Sequence, residues 1–113
     1  MGVGLSAPVR RGEVYLVALN PTRGGELRKT RPCVVVSPDE MNAVWPTFIV
    51  VPLSTGRYSS PFWIECRFGG RDGRVVLDQI RVVDRVRLVK RLGALTDTTL
   101  LKSLNVLQEM FAA

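Results

Sequence analysis

The sequence predicts a mainly β protein: a small, strongly bent antiparallel sheet or partly open barrel, with one helix covering an opening. Three observations carry this. Strand-like apolar runs follow one another along most of the chain, each ended by glycine, proline or small polar residues. Only the closing segment repeats its large apolar residues at helical spacing. No repeat, low-complexity tract or linker interrupts the series, so the 113 residues are expected to make one domain. Short strands first and a helix last pack in few other ways.

Taken in order, MGVGLSAPV is small and apolar with no basic stretch before it, so residues 1–10 read as a loose lead to a domain over 11–113. EVYLVAL (Glu13–Leu19) has the polar start and the β-branched and aromatic content of a strand. NPTRGGELRKT then breaks the pattern with Asn-Pro and Gly24-Gly25, and it is longer than a hairpin needs. PCVVV (Pro32–Val36) is a continuous apolar strand whose proline suits only its start. In SPDE, Ser37 can cap, Pro38 fits a first helical position and Glu40 completes a capping box, which predicts a short helix.

TFIVVPL (Thr47–Leu53) is the next strand, with Pro52 marking a bulge or an edge. PFWIECRF (Pro61–Phe68) follows, with GGRDG as a tight turn and RVVL (Arg74–Leu77) as its hairpin partner. QIRVVD and RLVKRL give further short strands or turns. Thr96 caps the final helix, Asp97 suits its dipole, and Leu95 with Leu100 forms a staple. Leu100, Leu101, Leu104, Leu107, Met110 and Phe111 supply its apolar face.

Composition narrows the chemistry. An apolar fraction of 46% is globular, and no run reaches the roughly 18 residues of a membrane span. The default compartment is the cytoplasm, with no membrane partner. Sixteen Lys and Arg against ten Asp and Glu leave a net charge of +6, which suits an anionic partner. Arginine outnumbers lysine, and its planar fork is the better match to phosphate. There is no histidine, which removes the usual general base, every Ser-His-Asp arrangement and every histidine-containing metal site. Cys33 and Cys66 lie in separate strand-like runs and read as buried thiols. No metal and no cofactor is expected. Catalysis, if any, has to work by positioning and fixed positive charge.

Two positions fit that requirement. Arg31 stands at the mouth of a buried strand, where its backbone is fixed and its side chain cannot enter the core unpaired. It must line a cleft, pair with an acid or fold back to the surface. Ser54 follows the buried Thr47–Leu53 run in the same way, so neighbouring strands would bring guanidinium and hydroxyl to one rim. A plain turn serine is the alternative.

RGEVYLVALNPTRGGELRKTRPCVVVSPDEMN, FIVVPLST, SPFWIE and VVLDQIRVVDRVRLVKRLG, in this order, resemble successive motifs of the MazF/PemK family of toxin endoribonucleases. The likeness runs from about Arg11 to the C-terminus. It implies an SH3-like, partly open antiparallel barrel, and a homodimeric, metal-independent nuclease that cuts single-stranded RNA at a short preferred sequence. Its products would be 2′,3′-cyclic phosphate and 5′-OH ends. A cognate antitoxin would cover the cleft and could link the toxin to operator DNA. The family's catalytic arginine falls on Arg31 and its catalytic threonine on Ser54, with Thr55 beside it. Glu26, with Arg28 and Lys29 in the same basic loop, and Gln79 and Arg81 of QIR would contact RNA. Serine keeps the hydroxyl of threonine but loses the methyl that restricts it. The rival class is a non-catalytic barrel of the same kind that binds nucleic acid or poisons a protein target such as DNA gyrase.

Overall fold

The computed structural model describes residues 8–19, 30–56 and 59–113. Among them run β1 (Glu13–Ala18), β2 (Thr30–Val35), α1 (Asp39–Val44), β3 (Thr47–Ser54), β4 (Trp63–Phe68), β5 (Arg71–Val76), β6 (Arg81–Asp84), β7 (Leu88–Ala94) and α2 (Asp97–Phe111). Short 3-10 turns at Leu77–Gln79 and Arg85–Arg87 join the last three strands. No described helix is long and apolar enough to cross a membrane.

The strands make one antiparallel sheet in the order β4-β5-β3-β2-β1-β7, with β6 also on β3. Strand β3 is the shared piece. Its inner edge carries β2, while its outer edge carries β6 along Thr47–Val50 and then β5 at Leu53 and Ser54. Pro52 has no N–H to donate, and it falls at the step where that outer edge passes from one partner to the other. Register shifts between Val14 and Tyr15, and between Leu16 and Val17, let β1 bend onto β7. The result is the mainly β, partly open barrel with a helix after the second strand and another after the last.

The valine runs are apolar without alternation because the central strands are buried on both faces. One core gathers Tyr15, Val17, Cys33, Val35, Phe48, Val50, Val83 and Leu88. The residues between them turn the other way: Val14, Val34, Val51 and Leu53 join Val75, Leu77, Leu95 and Leu107 in a second core under α2. Thr96 caps α2 as expected, its hydroxyl accepting from the Thr99 amide at 3.2 Å. The helix is amphipathic, yet Leu101 (60% exposed) and Phe111 (71%) face away from the core they were expected to fill.

Two local expectations need correction. Ser37 does not cap α1, whose N-cap is Pro38 without a side-chain bond. Instead the Ser37 hydroxyl donates to the Asn42 side chain and accepts from the Ile49 amide at 3.1 Å. Burial of this cluster ties α1 to β3 and outweighs a cap exposed to water. The GGRDG turn is also tighter than its five residues suggest. Gly69 (φ +60°) and Gly70 (φ +76°) alone form it, and Phe68 already pairs with Arg71. Both glycines take the left-handed conformation that a two-residue hairpin turn demands, so Arg71, Asp72 and Gly73 belong to β5.

Candidate active site

Register brings Arg31 and Ser54 together. Cys33 pairs with Pro52 across β2 and β3, and the same register carried two residues further sets Arg31 opposite Ser54. Both are half-buried and lie near the ends of strands whose valine runs are locked in the two cores. They line one open cleft of about 820 Å³, with Thr55 beside them. Among the described residues no carboxylate pairs with Arg31. Of the three fates open to this guanidinium, the structure takes the cleft.

The Ser54 hydroxyl accepts from the Gly56 amide at 3.1 Å. That bond orients the oxygen and leaves its proton to be given elsewhere. On the outer edge of β3, Arg81 pairs with Val50, so it rises on the same face of the sheet as Ser54 and Arg31. Cys33 reports this charge directly. Burial pushes its thiol up to about 12, while the Arg81 and Arg31 cations pull the other way. Arg81 nonetheless stands outside the cleft lining, and Gln79 sits exposed on the Leu77–Gln79 turn, also outside it. Glu26, Arg28 and Lys29 lie outside the described residues.

The far wall of the cleft comes from the β4–β5 hairpin, a part of the site that sequence reasoning missed. Cys66, Phe68 and Arg71 line it, with Asp72 and Gly73. Arg71 adds a second cation, and the Asp72 carboxylate is engaged by Arg67 at 2.8 Å. The signal lay in the paired glycines: a two-residue turn would have put Arg71 in the strand that faces Ser54. Cys66 is half-buried rather than buried, and burial raises its thiol pKa, with Arg74 opposing. Gly73 is needed for closeness, since a Cβ there would stand 2.7 Å from the Ser54 carbonyl oxygen.

The described lining of the cleft therefore offers two arginines, Arg31 and Arg71, and one oriented hydroxyl, that of Ser54, with no histidine. Among the described residues no three or more Cys, Asp or Glu side chains gather in metal-ligand fashion. What the arrangement can do is hold a phosphate and stabilise negative charge developing on it.

Comparison with known proteins agrees with that chemistry. Residues 10–111 match the family of PemK-like, MazF-like toxins of type II toxin–antitoxin systems. The endoribonuclease MazF of Staphylococcus epidermidis is 32% identical over 105 residues, covering 88% of each chain. The fold is similar to that of MazF from Deinococcus radiodurans, with a TM-score of 0.80 and 23% identity over 96% of this chain and all of that one. It is also similar to a mycobacterial endoribonuclease solved in complex with its cognate antitoxin, with a TM-score of 0.76 and 26% identity over 89% of this chain and 92% of that one.

Proposed function

Because this chain belongs to the family of PemK-like, MazF-like toxins of type II toxin–antitoxin systems, we propose that it is an endoribonuclease whose cleft cuts single-stranded RNA at a preferred sequence without a metal ion. The observation that carries this reading is the convergence of Arg31 and Ser54, from neighbouring strands, on one open cleft. RNA supplies its own nucleophile. The 2′-hydroxyl loses its proton and attacks the adjacent phosphorus, the P–O5′ bond breaks, and the departing 5′-oxygen takes up a proton. A 2′,3′-cyclic phosphate and a 5′-OH remain.

Arg31 acts as a fixed positive charge, its fork gripping the nonbridging oxygens as negative charge builds on them. Ser54 donates to the same phosphate or to the leaving oxygen. Arg81, on the same face, steers the strand toward the cleft, with Gln79 and Thr55 as further RNA contacts. Glu26, Arg28 and Lys29 would complete the contacts from the preceding loop. Two copies of the chain share the RNA groove, and an antitoxin silences the pair by covering it. The mycobacterial relative solved with its antitoxin supports this reading.

The test is incubation of the purified protein with mixed-sequence RNA in excess EDTA, followed by mapping of both fragment ends. Cleavage at recurring sequences with 5′-OH ends is expected. Activity that EDTA abolishes and magnesium restores, or 5′-phosphate ends, would refute the metal-free mechanism. Binding without cleavage would favour the non-catalytic barrel.

A further inference from the structure

Arg74 is a cation in an uneasy place. It sits in β5 directly opposite Ser54 of β3, in the ladder that fixes the end of that strand. Its side chain is only 20% exposed, and among the described residues its buried Nε has no hydrogen-bond partner. Among the described residues the one hydrogen bond its guanidinium makes is a long one, 3.4 Å to the neighbouring Gly73 carbonyl. The nearest carboxylate, Glu65, stands 3.8 Å away and is itself 81% exposed, so the pair is loose and screened. A guanidinium carries five N–H donors, and leaving buried donors unmade is costly. The long bond to Gly73 and the loose pair with Glu65 balance only part of that cost.

The surroundings show what would. Arg74 lines a second cleft of about 610 Å³ that shares Cys66, Asp72 and Gly73 with the cleft of Arg31 and Ser54. The two depressions thus meet at these hairpin residues, and Arg74, as the cross-strand partner of Ser54, lies on the same face of the sheet as that hydroxyl. Asp72 and Glu65 also line it; Arg67 pairs with Asp72 at 2.8 Å, and both carboxylates reach into water, where their charge is screened. An extended polyanion crossing Ser54 would lay its next charge into this second depression.

We propose that Arg74 binds a phosphate of the RNA strand flanking the scissile one, through its undersupplied guanidinium fork. Arg74 becomes a substrate-binding residue one nucleotide away from the chemistry, and the second cleft becomes a nucleotide subsite. The inference rests on the RNA-cleaving reading above.

The test uses an oligoribonucleotide carrying the protein's own mapped cleavage site, with a 2′-deoxy sugar at the scissile position so that it binds uncut. Methylphosphonates, which remove one charge each, replace the two flanking phosphates singly. Wild type should lose about 10- to 100-fold in affinity at one flanking position, as for a charge-assisted hydrogen bond. Arg74→Gln should lose the same amount with the unmodified RNA and nothing further with that methylphosphonate. Its log–log salt slope should fall by roughly 0.7, the value for one single-strand phosphate contact. Arg74→Lys should keep the slope while losing part of the affinity, which separates charge from fork and covers a folding defect in the glutamine variant. Wild type indifferent to both methylphosphonates, or a folded Arg74→Gln with unchanged affinity, would overturn the proposal. If wild type still cuts RNA in that case, only the Arg74 subsite has failed. A wild type that neither binds nor cuts RNA overturns the parent reading as well.

Discussion

In the proposed reaction the residue on which most rests is Arg31. The apolar run that follows it fixes its backbone, so Arg31→Ala should fold normally and lose only the charge aimed at the phosphate. By analogy with deleting one oxyanion donor, the expected loss is on the order of 10²–10³ in cleavage rate. Ser54→Thr probes the other partner. The cleft is open at about 820 Å³, so the added methyl has room, and a stiffer rotamer should hold or raise activity. Cleavage assays on variants matched to wild type in thermal melting check both. A folded Arg31→Ala that cuts at the wild-type rate would end the assignment. The place of each at a strand end was legible in the sequence, whereas their meeting was left open there and depends on the β2–β3 register. Arg71 and Arg74 were not legible, because the face and the partner each takes depend on a hairpin register that the length of the turn sets.

At the scale of elements, the hairpin and β3 meet at a single tight point. Gly73 lets β5 approach so closely that a Cβ would stand 2.7 Å from the Ser54 backbone oxygen, which cannot swing aside as a side-chain tip could. Gly73→Ala should therefore push the end of β3 away and carry the Ser54 hydroxyl with it. A misplacement near 1 Å can cost about 10²-fold in rate, and that loss should fall on kcat more than on KM. Steady-state cleavage with melting as a control checks it; an unchanged kcat would show that β3 does not transmit the strain. The strands themselves were readable as apolar runs, with bounds shifted by a few residues. The capping box at Ser37 misled because Ser37, Asn42 and the Ile49 amide form a tertiary cluster that a local pattern does not contain.

For the whole molecule, the mixed character of the surface bears on assembly. Val82 and Val86 are exposed, as are Val89 and Leu92 of β7. Sedimentation at micromolar concentration should give about twice the 12.5 kDa chain mass. A monomer that cuts RNA at full rate would refute a groove shared between two copies. The barrel as an architecture was legible from strand count and the single helical stretch, whereas the division into two cores was not. It arises because the central strands are covered on both faces, so that alternate residues of one valine run face different cores. The β1–β7 ladder has a further consequence, in time rather than in space. Glu13 pairs with Ala94, so this seam joins segments roughly eighty residues apart and its closing loop entropy must be met before the contact returns anything. Chains dominated by such distant pairings fold in milliseconds to seconds rather than microseconds. During that interval the edge of β1 that β7 later covers is bare, and a newly made chain is at its most vulnerable to proteases and to sticking to its own kind.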